Sequence, residues 1–334
     1  MRGSLMKKVA LHQRCIALIF LVFSILFPFV FSNAYVMRIA IVSLIYVVLT
    51  QSINLLGGMV GQLSLGHIAF YGVGAYTCAI LSKNHGVPSI VCWLAALVFA
   101  GLLGLLLAIP TLRLKGYYFA IVTMGFGEIM RIIEINWMSL TRGPLGISGI
   151  AKPDFFGLQI SSPMSFYYVA LIILVLNTLL IKKLMDSRHG KAIIAIREDD
   201  VAAQSMGINV FRYKSIVFII SAAVAGLMGA FYAQYTSYID PTVFTSSQST
   251  MLIIMALLGG LGSQIGPFIG AIVLTVCPEI LRFLMEYRML LYGVVMLFVM
   301  LVKPSGLMGN YNLEYMRQRS LFEEEKKKGG RINA

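Results

Sequence analysis

Long apolar stretches recur from end to end of this 334-residue chain, and they limit its fold more than any motif does. Runs of about 18 or more residues with almost no charge are each long enough to cross a hydrocarbon layer of roughly 30 Å as a helix. Backbone inside such a layer must satisfy its polar groups internally, which leaves helices or a closed barrel. The runs lack the strict alternation of barrel strands, so the chain reads as an all-α polytopic membrane protein. Composition agrees, with 58% of residues hydrophobic and only 12% charged.

About ten spans are expected, near 15–32, 35–56, 67–82, 87–109, 117–135, 164–181, 213–235, 249–261, 265–281 and 287–302. The first follows a basic 1–14 segment and resembles a signal peptide at first sight. Its apolar part is longer than the roughly 7–15 residues of a signal h-region, and no small-x-small cleavage site follows, so it reads as a retained span. Twenty of the 27 Lys and Arg fall in 1–14, in LRLKG (112–116), between Lys182 and Lys214, and after residue 302. Basic segments mark the cytoplasmic side, and both basic ends share a side only if the number of spans is even. The organisation expected is a cytoplasmic tail 1–14, a membrane domain 15–302 and a cytoplasmic tail 303–334. Within the membrane domain, 182–214 is expected to be a cytoplasmic loop and 136–163 an outer loop capped by a compact, turn-rich segment.

The formal charge of +13 does not point to nucleic acid, because the basic residues sit between apolar runs rather than along one soluble face; membrane lipid is the expected surrounding. Cys15, Cys78, Cys92 and Cys277 have no CxxC spacing, so no disulfide framework or zinc site is expected. His12, His67, His85 and His189 are scattered, with neither metal spacing nor a nucleophile–base pair. No catalytic residue, metal or cofactor is expected on the chain.

Two Gly-rich stretches interrupt the helical pattern. GGLGSQIGPFIG (259–270) follows an apolar run of only thirteen residues, and GGMVGQLSLGH (57–67) places Gln62, Ser64 and His67 where a membrane boundary should be. Each reads as a discontinuous or re-entrant segment, since irregular backbone survives at membrane depth only against protein or a water-lined cavity. The glycines at Gly57/Gly61 and Gly266/Gly270 have GxxxG spacing, so close helix packing is the first expectation, compatible with pathway lining. In the fifth span, Glu128, Arg131 and Glu134 recur every three residues, and Glu134 is expected to reach water near the outer boundary. A charge within a span costs roughly 2.5–3.5 kcal/mol, so Glu128 is expected either to pair with Arg131 or Arg282, or to face, with Glu279, a cavity that receives substrate.

A charged stretch, IREDDVAAQSMGIN (196–209), interrupts the apolar pattern in the expected cytoplasmic loop. Glu198, Asp199 and Asp200 precede a small-residue pair, where negative charge offsets a helix N-terminus, and Gly207 can end that helix left-handed. The reading is a short exposed helix flanked by loops. Ala202, Ala203 and Gly207 are spaced as in the EAA-x-x-x-G loop of ABC importer permeases, with Val201 standing where that motif has its acid. GGMVGQLSLGHIAFYGVGAY, LRLKGYYFAIVTMGFGEIMRI, RGPLGISGI, ALLGGLGSQIGP and KPSGLMG extend the likeness over nearly the whole chain. It resembles LivM-type permeases, the M subunit of branched-chain amino acid ABC importers.

The resemblance implies one half of a permease heterodimer with a LivH-type partner, two cytoplasmic LivG/LivF-type ATPases and an extracytoplasmic binding protein, in a bacterial inner membrane. It also implies that the helix around Ala202 and Ala203 seats in an ATPase cleft. Related permeases carry urea, short amides or other amino acids, which remain the alternative cargo. No G-x-x-x-x-G-K-[ST] phosphate cradle occurs in the sequence, so ATP is expected on partner subunits and the chain is not itself an enzyme. A secondary transporter would share the broken helices but needs no exposed docking helix. A membrane enzyme lacks an acid–base constellation, and a channel would normally need symmetric repeats.

Overall fold

The computed structural model describes residues 22, 24–31, 33–114, 116–155, 158–280, 288–303 and 305–308. The expected tail 1–14, most of the first span, His12, Cys15, Arg282 and the tail beyond residue 308 lie outside these. Eleven helices are named: α1 Ala34–Asn54, α2 His67–His85, α3 Ser89–Thr111, α4 Tyr117–Asn136, α5 Pro163–Asp186, α6 Arg188–Glu198, α7 Asp200–Ser205, α8 Val210–Thr236, α9 Ser246–Gly259, α10 Gly266–Ile280 and α11 Arg288–Val302. Among the described residues five helical stretches are long and apolar enough to cross a membrane, namely 34–60, α3, α5, α8 and 241–259. The protein is thus a multi-pass, mostly helical membrane protein.

Local chemistry sets the helix starts. Asn33 accepts from the Tyr35 amide, Ser162 from that of Ser165 with Pro163 in the first turn, and Asn209 from that of Arg212. Each side chain satisfies an amide that the helix itself leaves free.

In lipid, apolar burial gives helices little reason to associate, so close backbone approach and buried polar bonds have to hold them. Both are present. Gly74 on α2 faces the carbonyl of Gly226 on α8, Gly229 faces that of Tyr71, and Gly226 lies on Ala96 and Ala100 of α3. A Cβ at any of the three would overlap a neighbour, so α2, α3 and α8 form one tightly packed group. Cys78 and Cys92 lie there as free thiols beside Ala96 and Ala230.

Helix α1 runs through the middle, packed against α5, α8, α9 and α10, with Ile41, Val47, Val48 and Leu49 wholly enclosed. Polar residues near its C-terminal end find partners on other elements. Gln51 donates to Thr178 at 2.9 Å and accepts from Asn177 at 2.7 Å.

The expected outer loop is compact. A turn at Met138–Thr141 leads into strands β1 Ile147–Ser148, β2 Asp154–Phe155 and β3 Leu158–Gln159. Strand β1 pairs antiparallel with β4, Tyr238–Ile239, which follows α8, and β2 pairs with β3. The loop is thereby tied to the C-terminal end of α8.

Candidate functional site

Between α5 and α8 the chain departs from the single exposed helix expected. α5 continues to Asp186, α8 begins at Val210, and two helices occupy the interval. Ser187 opens α6 by accepting from the Gly190 amide, and Asp199 opens α7 by accepting from Val201 N at 2.8 Å and Ala202 N at 3.0 Å. Two cap residues in sequence, at Ser187 and Asp199, are the reason one helix became two.

Gly207 ends α7 at φ +80°, with its amide on the Gln204 carbonyl and the Ile208 amide on that of Ala203. That double bond is a Schellman closure, and it requires the left-handed conformation glycine allows. The six-residue helix is therefore closed at both ends despite being too short to persist alone.

The exposed face of α7 is not the one the small-residue pattern implied. Ala203 is buried at 4%, whereas Val201 is 63% and Met206 82% exposed, and Ala202 and Gln204 also face outward. Asp200 turns back to Lys214 at 2.5 Å, fastening α7 to the first turns of α8. Asp199 is committed to its cap, and Glu198 stays exposed.

Directly above α7 lie the two Gly-rich breaks. Helix α1 passes into a π-helical turn, Leu55–Val60, and stops at Gly61, whose φ of +82° is left-handed. Such wide turns are rare and concentrate at functional sites. The second break separates α9 from α10 over 260–265.

Asn54 joins the breaks, donating to the Ser263 carbonyl and accepting from the Gly262 amide, both at 2.9 Å. Gly58 sits so close that a Cβ there would overlap the Gly262 amide and the Asn54 side chain. Arg197, from the last turn of α6, rests its aliphatic stem near Gly61 and its guanidinium against Gly262, where a Cβ would stand 2.5 Å from Nη1. A cavity of about 250 Å³ opens beside it, lined among others by Gly61, Gln62, Arg197, Asp199 and Lys214. One side chain thus links the charged stretch to both interruptions of the helical pattern.

The expected pathway residues separate into three groups. Gln62, Ser64 and His67 are buried at 7%, 0% and 1%. His67 Nε2 lies 2.7 Å from the Ser52 hydroxyl, as a hydrogen-bonded interior histidine, while Gln62 Oε1 and Ser64 Oγ have no partner among the described residues. Glu128 pairs with Arg131 at 2.8 Å and accepts from the Ser246 hydroxyl at the start of α9. Glu279 instead accepts from the Tyr35 hydroxyl, so Glu128 and Glu279 belong to different contacts.

Glu134 corrects the expectation of exposure, being 4% exposed. Gly72 on α2 lacks the side chain that would fill its place, and the Met138–Thr141 turn folds back so that Thr141 donates to the Glu134 carbonyl at 2.7 Å. Of the glycine pairs with GxxxG spacing, Gly266 and Gly270 pack on the carbonyls of Gly259 and Met255. Gly61 serves as a helix stop.

Sequence reasoning missed Asn54, Arg197 and the outward Met206. Asn54 was visible as a polar residue inside an apolar run four positions before Gly58, where a buried amide must find a partner.

The model of a family described as the branched-chain amino acid transport system permease component matches residues 35–300. The chain is 37% identical over 319 residues to the high-affinity branched-chain amino acid transport system permease protein LivM of Escherichia coli K12, covering 89% of this chain and 75% of that protein. It is 24% identical over 286 residues to the probable branched-chain amino acid transport permease protein LivM of Methanocaldococcus jannaschii, covering 75% and 82%. It is also 26% identical over 299 residues to the LivH permease protein of Salmonella typhimurium LT2, covering 80% and 92%.

Proposed function

We propose, from the premise that this chain belongs to the family of branched-chain amino acid transport system permease components, that it is one of two permease subunits of an ATP-driven importer of leucine, isoleucine and valine. A LivH-type subunit supplies the other half of the pathway, two LivG/LivF-type ATPases bind and hydrolyse ATP, and an extracytoplasmic binding protein delivers the cargo. Both termini lie in the cytoplasm, and about ten segments cross the membrane.

The observation that carries this reading is the linkage from α7 through Arg197 to the two Gly-rich breaks. In the proposed cycle the ATPase grips the outward face of α7, chiefly Val201, Ala202 and Met206. Glu198 beside it offers a charge for the partner. Movement of the ATPase passes along the Asp200–Lys214 pair into α8 and through Arg197 onto Gly61 and Gly262. The breaks can shift because irregular backbone has fewer internal bonds to lose than a helix. Gln62 and Ser64, with buried oxygens unpartnered among the described residues, are the groups placed to meet water and substrate when the breaks part.

The test is the purified four-subunit complex in proteoliposomes. Leucine-loaded binding protein should stimulate ATP hydrolysis, and uptake should stop when ATP is withheld. Uptake sustained by a proton or sodium gradient without ATP would replace this reading with secondary transport.

A further inference from the structure

At the end of α8 remote from α7, about 40 Å away along 27 helical residues, a second cavity of about 390 Å³ opens. Its wall includes Arg38 from the second turn of α1, Tyr232 and Tyr235 from the last turns of α8, and Tyr238, Asp240 and Val243 from the segment that follows. That volume lies within the roughly 300–1,000 Å³ of small-ligand sites. The chain reverses over the helix end at Ser237, a non-glycine residue held left-handed at φ 56°, and the pairing of β4 with β1 pins Tyr238 and Ile239 in place. A non-glycine residue in that region marks a locally strained turn that its surroundings must hold.

The charges on this wall are of opposite sign and under-used. Arg38 is exposed to the cavity with no hydrogen bond or ion pair among the described residues. Asp240 commits one carboxylate oxygen to the Thr242 amide, at 2.8 Å, and to the Thr242 hydroxyl, which fixes its orientation and leaves the other oxygen without a partner among the described residues. The same wall also carries three tyrosines and one branched aliphatic side chain, Val243.

We propose that this cavity is a binding site for a free zwitterionic amino acid with an apolar side chain. The Arg38 guanidinium takes the α-carboxylate, the open oxygen of Asp240 takes the α-ammonium, and the tyrosine faces and Val243 enclose the alkyl group. The site rests on the reading that the cargo is a branched-chain amino acid, and it lies at the end of the molecule opposite the ATPase-docking helix. Arg38 could equally meet the phosphate of a lipid headgroup, and the experiment separates the two.

The reconstituted four-subunit transporter, supplied with the same saturating amount of its binding protein, is compared with its Arg38→Gln and Asp240→Asn forms for leucine uptake, with 4-methylpentanoate, which lacks the ammonium, and leucinamide, which lacks the carboxylate, as competitors. Absence of a leucine response in the unmodified complex would fault the cargo assignment itself. With that response in hand, each substitution should raise KM for leucine at least about tenfold, the loss of one charge-assisted hydrogen bond. Arg38→Gln should also abolish competition by 4-methylpentanoate and spare that by leucinamide, and Asp240→Asn the reverse. Unchanged KM and competitor preference overturn the site, as does an Arg38→Gln effect confined to vesicles containing anionic lipid. If neither substitution assembles, Val243→Cys decides: millimolar leucine should slow its labelling by a water-soluble maleimide, and an unaltered rate rejects the proposal.

Discussion

Arg197 illustrates how a charged residue can serve by shape as much as by charge. Its guanidinium occupies the space that a side chain at Gly262 would need, while its stem lies within ordinary contact of Gly61. Gly262→Ala should therefore displace it and lower uptake several-fold while ATP hydrolysis continues, whereas Arg197→Lys should fall between wild type and Arg197→Ala; parallel uptake and ATPase assays distinguish these outcomes. The Glu128–Arg131 pair behaves differently. Its side chains are 35% and 31% exposed in a segment expected to cross the membrane, where each charge depends on the other because an unpaired one is costly. Glu128→Gln should keep the bond from Ser246 but leave Arg131 without its counter-charge, lowering the melting temperature by a few degrees. Neutralising Arg131 as well should recover most of that loss, and a double substitution no more stable than the single one would contradict the pairing account. Glu134 shows why depth cannot be judged from spacing: its burial depends on Gly72 across the interface and on a turn four to seven residues downstream, neither of which its own helix encodes.

At the level of elements, α7 is stable because both ends are closed, not because six residues make a helix. Removing the N-cap with Asp199→Ala should cost about 1 kcal/mol locally. Hydrogen exchange at the amides of residues 201–205 should then accelerate roughly fivefold, with weaker retention of the ATPase on purification. Unchanged exchange would mean that α7 is held by Lys214 alone. Helix identity was legible along the chain, since long apolar runs and capping residues such as Asn33, Ser162 and Asn209 are local signals. The two Gly-rich interruptions were legible for the same reason. What the sequence withheld was their meeting, because Asn54 and Gly262 are 208 positions apart and only the fold brings them together. The inward turn of Ala203 was hidden too: a six-residue helix has no long periodicity from which to read a buried face.

For the molecule as a whole, sidedness is the property that links α7 to the remote cavity. Arg212→Cys and Tyr238→Cys sit at opposite ends of α8, both in exposed positions. A membrane-impermeant maleimide should label the first only in inside-out vesicles and the second only in intact spheroplasts. Labelling of both from one side would refute the proposed topology. The enclosure of α1 carries a separate consequence, for biogenesis. Of the five span-length helical stretches, Ala34–Val60 is nearest the N-terminus and the most enclosed, with 78% of its best window buried. Yet the partners of Gln51 and Asn54 are Asn177, Thr178 and Ser263, which lie 126, 127 and 209 positions further on. A ribosome adding roughly 5–20 residues per second needs on the order of ten seconds to reach the nearest of them. For that interval a nascent chain holds two amides in the bilayer with no final partner, so the wait is set by translation speed rather than by helix packing.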